Sequence, residues 1–118
     1  VNAHFSGEKK EMFLSQLGKN LFKAIVDHLC KYKYDFQGCK VLVIDVAEYQ
    51  STFELFGIES VSKKLMDLAK TALLMSTKVE NLKDVISNQP LTKRAIKLSK
   101  RMLPLRIDSN NIELNSLF

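Results

Sequence analysis

Three stretches of this chain repeat their apolar residues at one spacing. Leu42, Val46, Tyr49, Phe53 and Phe56 recur at steps of 4, 3, 4 and 3. Val61, Leu65, Leu68, Ala72 and Met75 repeat that pattern, and so do Leu91, Ala95, Leu98, Met102 and Leu105. Only a helix gathers residues so spaced onto one stripe. Three stripes of one period predict helices packed lengthwise against helices. The first stripe competes with another reading. Val41-Leu42-Val43-Ile44-Asp45-Val46 is an apolar run of the kind that forms a buried parallel strand. The choice decides between a nucleotide-binding α/β enzyme and an all-helical scaffold, and the spacing favours the helix. The fold predicted is all-α, an antiparallel bundle of about five helices.

The first helix is expected from near Glu8, capped by Ser6, to about Tyr32. Its stripe is Leu14, Leu17, Leu21, Ile25, Leu29 and Tyr32, and Gly18 inside it suggests close approach of a neighbour. Met12, Phe13 and Phe22 lie off that stripe. Gln37-Gly38 marks a turn, and a second helix is expected from Cys39 to Phe56. Gly57 suits the left-handed C-cap, with Ile58 as its hydrophobic contact. Ser60 is expected to cap a third helix, Val61 to Met75. Thr77-x-x-Glu80 has the form of a capping box ahead of a short fourth helix, Lys78 to Ile86. Ser87-Asn88-Gln89-Pro90 breaks it. A fifth helix starts near Leu91 or Thr92, and Pro104 kinks or ends it. Residues 1–108 form one domain on this reading, and the polar, aperiodic stretch 109–118 is a C-terminal tail.

Composition supports a helical domain. With 118 residues and 46% hydrophobic content, the chain can build one core unaided by disulfide or metal. Only 4 Gly and 2 Pro leave few residues for the turns of a many-stranded fold. Cys30 and Cys39 do not make a disulfide framework and suit a reducing compartment, as small hydrophobes. No apolar run approaches the roughly 18 residues of a membrane span, and no signal peptide is recognisable. A chain beginning with Val rather than Met reads as a fragment or a processed product.

The chemistry of an enzyme is not assembled in the pattern. A nucleotide-binding strand at Val41–Val46 needs a glycine-rich turn, and Ala47-Glu48-Tyr49-Gln50-Ser51 holds no glycine. His28 and Cys30 are two apart on a helix and face different directions. Two Cys and two His without C-x-x-C or H-x-x-x-H spacing disfavour zinc. Glu8/Glu11, Glu54/Glu59 and Glu80/Asp84 read as helix solvation or capping. Asp45 interrupts an apolar run but falls off the stripe, so it is expected exposed. No catalytic residue, cofactor or metal is predicted.

Charge adds one feature. The formal net charge is +5, yet Gln89 to Arg106 holds six basic residues and no acidic one, so the remainder is near neutral. Lys93, Arg94, Lys97, Lys100 and Arg101 form a basic side on the fifth helix. A solvated helix face explains such charge. The functional alternative is contact with an acidic protein or with anionic lipid headgroups. Nucleic acid is disfavoured, because no aromatic residues are interleaved for base stacking.

Four landmarks then follow in order: Leu29 to Lys33 with Gly38 and a Val/Leu-rich helix; Glu48-Tyr49-Gln50; Val79-Glu80-Asn81-Leu82-Lys83-Asp84-Val85; and Leu105-Arg106-x-Asp108. Their order and spacing, from about Leu21 to Asp108, resemble the C-terminal region of the exocyst Sec-ten subunit family, also called exocyst complex component five. Pro104 and the stretch after Asp108 are local departures. The resemblance implies the terminal bundle of an elongated, non-enzymatic rod in a vesicle-tethering complex that supports docking of secretory vesicles in exocytosis. It implies other exocyst subunits and vesicle-trafficking proteins as partners. The implied location is cytoplasmic, peripheral at the plasma membrane or secretory vesicles. Recyclin-type proteins of endosomal recycling carry a similar region and stand as the alternative.

Overall fold

The computed structural model describes residues 7–57 and 59–118. Five helices carry the fold: α1 (Gly7–Leu29), α2 (Phe36–Phe56), α3 (Glu59–Met75), α4 (Val79–Asn88) and α5 (Lys93–Met102). A 3-10 turn at Leu103–Leu105, another at Ser109–Asn111 and one helical turn, α6 (Leu114–Leu117), complete it. The segment Val41–Val46 is helical, as its spacing predicts. Among the described residues, extended pairing is confined to one isolated parallel bridge between Tyr34 and Arg106.

α3 is the axis of the bundle. Its stripe Val61, Leu65, Leu68, Ala72 and Met75 is wholly buried, and Leu74, Asp67 and Thr71 are buried as well. It therefore has neighbours on more than one side: α2, α5 and α1. Leu42 and Val46 of α2 are buried, Tyr49 and Phe53 pack on the core, and Asp45 is exposed. On α5, Ala95, Leu98 and Met102 are buried. The small Ala95 and Ser99 let α5 lie close to α3. There the Thr71 hydroxyl donates to the Asp67 carbonyl (3.1 Å), Ser99 donates to the Ala95 carbonyl (2.7 Å), and the two hydroxyls are 3.4 Å apart. Each buried hydroxyl is hydrogen-bonded, which offsets the cost of taking it out of water.

The helix ends differ from expectation in instructive ways. α2 begins three residues earlier than Cys39, because Asp35 caps it: its carboxylate accepts the Gly38 N–H at 2.7 Å. A Cβ on residue 38 would lie 3.1 Å from that carboxylate oxygen, which favours glycine there. Gly57 closes α2 at φ 67°, in the left-handed conformation, donating to the Glu54 carbonyl. Ser60 is not a cap, since α3 already starts at Glu59. Nor does Thr77 cap α4. Its hydroxyl donates to the Leu73 carbonyl of α3, and Lys78 takes the cap position without a side-chain bond. Thr92 caps α5, accepting the Ala95 N–H. Pro104 falls in the 3-10 turn that ends α5. The Ser6 cap and the Ile58 contact lie outside the described residues, as does the Phe56 side chain.

α1 turns a different face inward than its leucine stripe suggests. Of that stripe Leu29 is buried and Ile25 packs on the core, but Leu17 and Tyr32 are exposed, and Gly18, Val26 and Phe22 take the inward side instead. The helix stops at Leu29, where the buried Tyr34 hydroxyl donates to the Leu29 carbonyl at 2.7 Å. Burial pushes the Tyr34 phenol up to about 12. In residues 109–118, Ile112, Leu114, Leu117 and Phe118 pack partly against the core.

Candidate functional site

The basic residues of α5 divide into two groups. Arg94, Lys97 and Arg101 turn toward α1 and line a groove of about 590 Å³. Lys93 and Lys100 are exposed and do not line it. The opposite bank is α1, with Lys19 and Lys23, and α3 contributes Lys64. Phe22 forms the floor, with Val26 and Leu98 beneath.

Two carboxylates answer these cations. Asp67, almost fully buried on α3, accepts from Arg94 at 2.9 Å and from the Thr92 hydroxyl at 2.9 Å. Asp27 on α1 accepts from Arg101 at 2.9 Å and lies 3.8 Å from Lys23. The hydrogen bond from Arg101 holds the Asp27 carboxyl below the usual carboxylate range, and Asp27 in turn raises Arg101. Two of the five basic residues picked out in the sequence are thus committed to ion pairs that tie α5 to its neighbours. Lys19, Lys64 and Lys97 have no ion-pair partner among the described residues. Lys64 sits 6.0 Å from the Phe22 ring centroid. Burial, then the positive charges of Arg94 and Lys19, make its ammonium easier to deprotonate than an ordinary lysine. The groove is thus a crowded cationic trough with an apolar base.

Sequence reasoning missed Lys19, Lys23 and Lys64. Lys19-x-x-x-Lys23-x-x-x-Asp27 does fall on one face of α1, but nothing local says that this face meets α5. Asp27 and Arg101 are 74 residues apart.

A second cleft, of about 630 Å³, opens between the start of α2, the end of α3 and the 106–111 segment. Its buried cation is already engaged. Arg106 forks onto Asp108 through Nε (2.8 Å) and Nη2 (2.7 Å), and its Nη1 donates to the carbonyls of Leu74 (3.1 Å) and Thr77 (2.6 Å). The Leu74 carbonyl, which also accepts the Thr77 N–H, lies in the last turn of α3, where a cation suits the helix dipole. The fork holds the Asp108 carboxyl low. Here the Leu105-Arg106-x-Asp108 landmark has a structural purpose: it clasps the chain end of α3 to the Tyr34 connection.

The remaining candidates are ordinary. His28 is exposed and meets Tyr32 edge-on, with ring centroids 5.4 Å apart. Cys30 is half-buried and Cys39 buried, both as free thiols, and burial pushes both thiols up. A raised thiol is a poor nucleophile. No group of acidic, His or Cys side chains that could hold a metal occurs among the described residues. No helix among them is long and apolar enough to cross a membrane.

In its described residues the chain is an all-helical bundle with a charged trough and outward apolar side chains. Across residues 1–118 it matches the family model described as exocyst complex component Sec10-like, alpha-helical bundle, and the chain belongs to that family. It is similar to exocyst complex component 5 of Homo sapiens and of Mus musculus, at 28% identity over 114 residues, and to that of Rattus norvegicus at 27%. Each match covers 97% of this chain and 16% of the relative, so the chain spans about a sixth of the length of the curated relatives it matches. No solved structure matches it significantly.

Proposed function

We propose that this chain is a non-catalytic contact module of a vesicle-tethering complex of the exocyst type, supporting docking of secretory vesicles at the plasma membrane in exocytosis. The observation that carries the reading is the family match along the whole chain, together with relatives named as exocyst components. The helical packing supports it. One stripe of α3 is enclosed by the bundle, while α1, α2 and the outer side of α3 keep apolar side chains outward, among them Met12, Val41, Ile44, Leu55 and Met66. On this reading the partners are other exocyst subunits, and the module works in the cytoplasm, peripheral to the plasma membrane or vesicle. Of Lys93, Arg94, Lys97, Lys100 and Arg101, the groove-lining Arg94, Lys97 and Arg101 offer a surface to an acidic partner or anionic headgroups, and Lys93 and Lys100 stand outside it.

Affinity purification of the full-length parent, with and without this region, tests the proposal. The intact parent is expected to recover other exocyst subunits, and deletion of residues 1–118 is expected to reduce that recovery. Recovery of no exocyst subunit by the intact parent overturns the reading.

A further inference from the structure

The trough between α1 and α5 has features that a solvated helix face does not need. Its cations come from three helices rather than one, and they converge on an apolar base. Lys19 to Val26 and Arg94 to Arg101 each run about 10–11 Å along their helices, which matches roughly two turns of a third helix laid between them. The charge is spread along that length, so no single phosphate satisfies it. A flat bilayer meets the rims of a concave trough and leaves Phe22 uncovered. Asp27 and Asp67 neutralise Arg101 and Arg94 from the side, leaving Lys19, Lys64 and Lys97 to face an outside anion.

We infer that this groove receives an acidic amphipathic helix of a partner protein, with its apolar side on Phe22 and its carboxylates on Lys19, Lys64 and Lys97. The inference rests on the reading of the chain as a contact module and names the chemistry of one partner. Helix-in-groove docking takes its anchors from apolar residues at helical spacing and its register from flanking charge.

The test is titration of the 118-residue chain with a labelled peptide of about five helical turns, leucines at helical spacing, glutamates flanking. Two control peptides replace every glutamate by glutamine or every leucine by serine. Vesicles of phosphatidylcholine and phosphatidylserine form the lipid arm. Binding of the first peptide alone is expected, weakening as salt is raised. Lys19→Glu with Lys97→Glu is expected to weaken it about tenfold or more, and Lys93→Glu with Lys100→Glu by less than about threefold, because the second pair lies outside the groove. Should the first pair disturb folding, Lys97→Gln alone reads the same contact, at about threefold. Absence of peptide binding, equal binding of the serine peptide, equal loss in both charge-reversed pairs, or vesicle binding without peptide binding each overturns the inference. If exocyst subunits are still recovered by the parent, such a result removes the groove and leaves the module reading intact. Recovery of none removes both.

Discussion

At the scale of single residues, Arg106 holds more of the structure together than its position near the end of the chain suggests. Its guanidinium is 7% exposed and reaches the end of α3 and the Asp108 carboxylate at once. Its own N–H and Asp108 lie on a segment bridged to Tyr34, whose backbone N–H donates to the Leu105 carbonyl and whose carbonyl accepts from Ile107. A buried cation so placed is costly to remove, because the Asp108 carboxylate and the Thr77 carbonyl lose their charged donor. Arg106→Leu is expected to lower stability by about 3 kcal/mol in urea unfolding. Arg106→Lys should recover little of that, since a point charge cannot fork onto a carboxylate and reach two carbonyls together. Asp67 is the counterpart within the bundle: one carboxylate serves the Thr92 cap and Arg94, so the entry of α5 is fastened to the middle of α3.

At the scale of elements, α2 is the informative helix because it is apolar on two sides. Leu42 and Val46 face the core at 2% and 0% exposure, while Val41, Ile44 and Leu55 face outward. The same run that imitates a strand is therefore two helical stripes side by side. Leu42→Ala is expected to cost about 3 kcal/mol and Ile44→Ala less than about 0.5 kcal/mol, measured by urea unfolding. Equal costs would mean that the helix sits in a different rotation. This phase was legible from the 3- and 4-residue steps. The phase of α1 was not. Two apolar stripes compete there, and Gly18 and Phe22 prevail over Leu14 and Leu17 because α3, far along the chain, decides which side is covered. The Gly57 cap was legible because a left-handed helix end favours glycine, whereas Thr92, placed only near the start of α5, proved to be its cap. Thr77 was misread because the last turn of α3 offers its hydroxyl a carbonyl first. The basic helix was legible as charge, but its division into a groove-lining and an outward group depends on Asp27 and Asp67, brought there by tertiary packing.

At the scale of the whole molecule, the bundle is long for its mass, 55 × 25 × 19 Å with a radius of gyration of 16.1 Å. A compact domain of this length would have about 13–14 Å. Small-angle scattering of the isolated chain is expected to fit the larger value. A reading near the smaller one would mean that α1 folds back over the bundle in solution. Elongation follows from α1, whose residues 7–13 are all exposed. The dependence of α3 on α5 and Arg106 has a consequence for how the unit is made. A ribosome delivers α3 first, with the Asp67 carboxylate still lacking Thr92 and Arg94, which later satisfy it. Nascent chains stalled before α5 should then remain sensitive to protease and attractive to chaperones. Acquisition of resistance should coincide with the emergence of Arg106 from the exit tunnel, so this segment folds as a late, single event in translation.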